Sequence, residues 1–210
     1  MVQTASQKSP ELQTAARWFR ATESRAHRLR MNIKRLFSSL VLSALDFAEK
    51  SLQELKKEDP KYSLIHFCTA LELFLKARLM LEHWTLVVTT PARALPQGFE
   101  QGHFHSVSLE ETLQRLENVA GQKFSSREKQ VFERIREQRN RLVHFLDPNS
   151  GKARALEKTA AEECKGWYYL HRLLTVTWKR EFKSFRREIE ELGTHLHQIQ
   201  AFLKAKYEAI

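Results

Sequence analysis

The chain has 210 residues, 42% of them hydrophobic and 29% charged, with a formal net charge of +10 at pH 7. That length buries a real core in one domain, and six glycines and five prolines are too few for a tight-turned β architecture. Two cysteines, Cys68 and Cys164, lie outside any CxxC spacing, which speaks against a disulfide or metal framework and for buried thiols in a reducing compartment.

The first predicted element is amphipathic and runs over residues 15–57, stopping at Asp59-Pro60. Its start is lopsided in charge. Between Lys8 and Arg35 stand eight basic residues against the two acids Glu11 and Glu23, so residues 1–34 read as a basic N-terminal arm or helix and residues 35–210 as the helical domain. Arg25, Arg28 and Arg30 are the arm's candidate contacts to a polyanion such as RNA. The competing reading is that Leu29, Ile33, Leu36 and Leu40 pack the segment into the bundle while its arginines are merely solvated. There is no signal-peptide pattern, and Glu11 and Glu23 count against a transit peptide, so the expected location is the cytoplasm.

A second, very apolar helix is predicted over residues 61–88. Glu72, Lys76, Arg78 and Glu82 interrupt its apolar run, so it reads as a core helix and not a membrane span. Thr69, Glu72, Lys76 and His83 fall on one polar stripe of that cylinder, either as a solvent-facing strip with a Glu–Lys pair or as support for a site. Residues 89–107, with two prolines and two glycines, read as a loop. Ser108 with Glu111, and Ser125 with Glu128, have the spacing of capping boxes, opening a helix that ends near Gly121 and another that ends before the turn at residues 147–151. A last helical region over residues 152–207 is expected to break near Gly193. Helical periodicity throughout, with no repeat, makes the expected fold an all-α bundle.

The helix opened by Ser125 carries Arg139-Asn140-Arg141-Leu142-Val143-His144. At 100° per residue Val131, Ile135, Leu142 and Phe145 form the core stripe, and Asn140 and His144 point to the opposite side with Arg136 beside them. Arg139 lies between the faces, near Phe132 and Val143. A plain surface histidine at a helix C-terminus would satisfy the same geometry. Elsewhere, His195 and His197 lie too far apart around a helix to share an ion, and His103 and His105 have no cysteine or acidic ligand close by, so no metal or cofactor is expected. Trp18, Trp84, Trp167 and Trp178 read as core or interface anchors.

The segment from Arg139 to His144 resembles the signature of the HEPN superfamily, helical domains of which many are metal-independent ribonucleases: an arginine, a polar residue, a few more residues, then histidine. The apolar helix before it, residues 65–79, is similar to the family's earlier helix with its Glu and Lys, and the resemblance covers roughly residues 35–178. It implies that Arg139, Asn140 and His144 are catalytic, that Glu72 and Lys76 support them, and that Arg136 and Arg141 contact RNA. Some toxins of this family carry a tyrosine two residues after the histidine, where a partner enzyme modifies it. Here that residue is Leu146, so neutralisation by that route is not expected, and a binding antitoxin or regulatory protein stays open as the means of control.

The chemistry suits these residue types. RNA supplies its own nucleophile, the 2′-hydroxyl; a histidine serves as base or acid near neutral pH, and an arginine clamps the crowded phosphorane. One motif supplies one titrating group, so two motifs across a twofold axis, in a homodimer, complete the set. The expectation is an RNA endonuclease of the toxin or phage-defence kind, yielding a 2′,3′-cyclic phosphate and a 5′-hydroxyl. The alternative is a non-catalytic HEPN-like module for nucleic-acid binding or protein assembly.

Overall fold

A computed structural model describes residues 10–57, 59–144, 153–199 and 204, with side chains from residue 32 in the first helix and from residue 157 in the sixth. The described residues are helical, in the order α1 (Pro10–Lys56), α2 (Pro60–Glu82), α3 (Pro96–Glu100), α4 (Leu109–Ala120), α5 (Ser126–His144), α6 (Ala153–Arg172) and α7 (Arg186–His197). A π turn over Leu173–Thr177 follows α6, and the one β contact among them is an isolated antiparallel bridge between Val88 and Ser106. No helix among the described residues is long and apolar enough to cross a membrane.

Helix α2 is the axis of the bundle, packing against α1, α4, α5 and α6. It is apolar nearly all round, the pattern of a helix with little solvent face. Leu64, Phe67, Leu71, Phe74 and Leu75 are fully buried in it. Burying side chains of this kind contributes about 1.5–3 kcal/mol each. Helix α6 approaches closely because of Gly166. A Cβ there would stand 2.6 Å from Phe67 Cε1 and inside contact distance of Ile135 Cδ1, so only glycine lets α6 sit against α2 and α5.

The boundaries differ from the expectation at three places. Helix α2 ends at Glu82 and not near residue 88: His83 is extended, its Nδ1 accepts from Thr85 N–H, and Trp84 turns in to pack on Phe99 with ring centroids 5.0 Å apart. The loop over residues 89–107 is partly ordered, with a 3₁₀ turn at Pro91–Arg93, helix α3, and a second small core of Met80, Trp84, Val87, Val88 and Phe99. The expected break near Gly193 does not occur there. After Thr177 the chain passes through turns and a 3₁₀ turn at Lys183–Phe185 before α7, and Gly193 sits inside α7, where an added Cβ would lie 2.6 Å from His171 Nε2.

Helix α1 is continuous across residues 34 and 35. Ile33, Leu36, Phe37 and Leu40 pack on the second core, and Asn32 Nδ2 donates to Glu100 Oε1 at 2.8 Å. From residue 32 onward, then, α1 belongs to the bundle. The side chains of Arg25, Arg28, Arg30, Leu29 and Trp18, and the turn at residues 147–151, lie outside what the structure describes.

Candidate functional site

Helix α5 starts on a reciprocal cap. Ser125 Oγ accepts from Glu128 N–H at 3.2 Å, and Glu128 Oε2 accepts from the Ser125 N–H and hydroxyl, each at 2.8 Å. Caps of this kind contribute about 1 kcal/mol. The other carboxylate oxygen takes Arg172 Nη2 from α6 at 2.7 Å, so the fully buried Glu128 is both cap and ion-pair partner. In α4 the cap is only half made: Ser108 Oγ accepts from Glu111 N–H, but the Glu111 carboxylate turns to Arg115.

Along α5, Val131, Phe132 and Ile135 are buried and Leu142 packs partly on the core. Phe132, which helical spacing puts beside Arg139 between the two faces, lies in the core. It is fully buried, edge-on to Tyr169 at 6.4 Å. Val143 does stand out, 48% exposed. Arg136, Arg139 and Asn140 are half-buried, and Arg141 and His144 are exposed; Phe145 lies outside the described residues.

The motif's first two residues are joined. Arg139 Nη1 donates to Asn140 Oδ1 at 2.9 Å. Because Asn140 stands one turn below His144 on the same face, this bond draws the guanidinium round the helix toward the histidine's side. The Nε atoms of Arg136 and Arg139 are enclosed without a hydrogen-bond partner. Among the described residues neither guanidinium has a carboxylate in ion-pair range, whereas Arg78, Arg115, Arg134, Arg172, Arg186 and Arg187 all do. Half-buried arginines with donors to spare can receive a phosphate.

Helix α2 supplies the facing wall. Burial pushes the Cys68 thiol up to about 12, Glu72 adds to the rise, and Arg139, Arg136 and Lys76 oppose it. Glu72, Lys76, Arg136 and Arg139 therefore share one electrostatic neighbourhood around Cys68, whose sulfur stays a protonated thiol and is no nucleophile. Lys76 Nζ donates to Glu72 Oε2 at 3.3 Å and to Ser106 Oγ at 3.2 Å, and Lys76 is buried. The Glu–Lys pair is made, but the expected alternative of a solvent-facing strip fails for Lys76, which is buried and bonded to Ser106. Among the described residues no direct bond joins Glu72 to Arg139 or to His144, and no hydrogen bond fixes the His144 ring.

The sequence reading missed Cys68 as the centre of this cluster and Ser106 as the partner of Lys76. Cys68 one turn before Glu72 was visible on the helix face; the Ser106 contact depends on how the loop folds and had no local signal. No group of three His, Cys, Asp or Glu side chains among the described residues is placed to hold a metal ion, and both cysteines are free and buried. Comparison with known proteins finds no matching family model, no similar curated protein and no similar solved structure.

Proposed function

We propose that this chain is a metal-independent RNA endonuclease of the HEPN kind, acting in toxin or phage-defence fashion. The observation that carries the reading is the Arg139–Asn140 pair at 2.9 Å on a half-buried face, with His144 exposed one turn on. Arg139, with Arg136 beside it, receives the scissile phosphate and stabilises its developing charge. His144 moves the proton, taking it from the 2′-hydroxyl or giving it to the leaving 5′-oxygen. Asn140 positions Arg139. Glu72 and Lys76 set the charge behind the arginines, and Arg141 meets RNA at the exposed edge. A second copy of the chain supplies the second titrating histidine, and a binding antitoxin or regulatory protein restrains the enzyme.

Purified protein incubated with total RNA in EDTA tests this. Wild type is expected to release 2′,3′-cyclic phosphate and 5′-hydroxyl ends, and His144→Ala is not. Activity that disappears with EDTA and returns with a divalent ion would sink the mechanism. One observation favours the second reading, a non-catalytic module for nucleic-acid binding or assembly: within a single chain nothing among the described residues orients the His144 ring. RNA binding without cleavage by wild-type protein would select it.

A further inference from the structure

At the Glu128 end of α5, opposite the end that carries His144, the described residues line a cavity of about 410 Å³. Three cations reach it from three separate segments: Arg78 from α2, Lys123 from the link between α4 and α5, and Arg172 from the end of α6. Glu181 is the one carboxylate in its wall.

Arg78 is 8% exposed, yet its donors are not all used. Nη1 is held by Glu82 at 2.6 Å, Nη2 stands 3.8 Å from Glu181, beyond hydrogen-bond length, and Nε is enclosed with no acceptor. A buried donor left without a partner destabilises the fold, and a bound anion would supply the missing acceptor. Arg172 commits Nη2 to Glu128, and its half-exposed guanidinium stands over the Tyr169 ring, 5.9 Å from the centroid. Lys123 is exposed and has no ion pair among the described residues.

The wall is built rather than loose. Leu173–Thr177 forms a π turn, closed by the Trp178 N–H on Leu173 O at 2.7 Å, and widened turns of this kind concentrate at functional sites. The buried Trp178 donates its indole N–H to Gln122 Oε1 at 2.7 Å, and Gln122 Nε2 donates to Lys123 O at 3.1 Å, which anchors the stretch carrying Lys123 to the core.

We propose that this cavity binds a phosphomonoester of nucleotide size, with the phosphate among Arg78, Lys123 and Arg172 and the organic part against Leu173, Thr177 and Ala120. Arginine forks and a lysine ammonium are the donors that phosphate oxygens take. The volume falls in the range of organic-ligand sites, about 300–1,000 Å³, and far exceeds what a bare phosphate fills. The site is independent of the RNA chemistry proposed for Arg139 and His144, and stands or falls separately.

The test is calorimetric titration and thermal melting of the full chain with adenosine 5′-monophosphate, adenosine and inorganic phosphate. The monophosphate is expected to bind and to raise the melting temperature. Adenosine should not bind at the same concentration, and inorganic phosphate should bind at least tenfold more weakly. Lys123→Glu, at an exposed residue, should weaken the monophosphate at least tenfold while leaving the melting temperature of the free protein unchanged. Arg139→Ala should bind it as wild type does. The proposal is overturned if the monophosphate does not bind at millimolar concentration or if Lys123→Glu binds it unchanged. It is equally overturned if Arg139→Ala abolishes binding, which would move the nucleotide to the α5 motif, or if inorganic phosphate binds as tightly as the nucleotide.

Discussion

Ser63 of α2 donates its hydroxyl to Glu163 Oε1 of α6 at 2.5 Å, inside a core where Glu163 has no exposure at all. Ser51 of α1 donates to the same oxygen at 2.9 Å, while Oε2 has no partner. One carboxyl group thus ties three helices together at a point the proposed chemistry does not use. Burial raises its pKa from 4.5 to about 7, against the pull of the two serine hydroxyls and the Trp167 indole.

The raised value has a signed consequence for stability. The folded state holds the proton up to about pH 7, whereas the unfolded chain releases it near 4.5. Stability from this group is therefore complete below pH 4.5, falls between 4.5 and 7, and stays lost above. The shift corresponds to about 3 kcal/mol. Glu163→Gln, which keeps the acceptor for both serines and cannot ionise, should flatten that slope and make the protein more stable than wild type at pH 8. Urea melts across pH 5 to 8 that show parallel curves for both proteins would contradict the account.

Gly166 gives the second prediction. Alanine there gains about 1 kcal/mol of helix propensity. Against this, the new Cβ meets the ring of the fully buried Phe67 at 2.6 Å and crowds Ile135. Overpacking of a dense core costs about 1–3 kcal/mol, so the clash should win. Gly166→Ala should melt some degrees lower than wild type, and a higher melting temperature would show that α6 can move aside.

How far these features were legible in the sequence depends on whether they are local. The starts of α4 and α5 were readable because Ser108 and Ser125 cap their own helices, and the end of α4 because Gly121 takes a left-handed φ of 63°. The end of α2 was misread because the apolar run continues through Trp84 to Val88. The extended His83, whose ring caps Thr85 N–H, and the packing of Trp84 on Phe99 turn the chain there. Gly193 looked like a helix breaker and is instead a close approach to His171. The motif on α5 was visible from spacing alone. That Glu72 and Lys76 share the surroundings of Cys68 with Arg136 and Arg139 had no local signal, because the register between α2 and α5 is tertiary. Glu163 could not be told from a solvated face, since Ser51 and Ser63 lie on other helices.

The proposed chemistry makes its own demands on the motif. Arg139→Ala and His144→Ala should each lower kcat/KM on RNA by about 10²–10⁴ with helicity unchanged. If they act as one unit, the double variant should be no worse than the more damaging single. Asn140→Ala, which frees Arg139 without removing it, should cost less than either. A double variant whose loss equals the product of the two singles would separate their roles.

Under the proposed chemistry, a single histidine per motif requires the active species to be a twofold dimer. With Phe132 in the core, Val143 is the exposed apolar residue left beside the motif. Val143→Glu should therefore shift sedimentation at micromolar concentration toward monomer and lower activity in proportion. A fully active monomer would refute the two-motif arrangement.

The basic arm yields the last prediction. Ile33, Leu36 and Leu40 are held by the second core and Asn32 by Glu100, so deleting residues 1–30 leaves that packing in place. If the arm packed as a structural helix along its whole length, the truncated protein would melt lower and keep the wild-type salt dependence of RNA binding. If it steers RNA, the melting temperature should barely change, and affinity should fall by a similar factor for unrelated sequences. The slope of log affinity against log salt should also flatten, by about 0.7 for each single-strand phosphate that the arm no longer neutralises. Cleavage of a short substrate at saturation should be unaffected, because no proposed catalytic residue lies before residue 72. The packing of Ile33 gives residues 32 onward a structural role, and electrostatic steering is the role proposed for Arg25, Arg28 and Arg30. One melt and one salt titration on the truncated chain decide between the two outcomes.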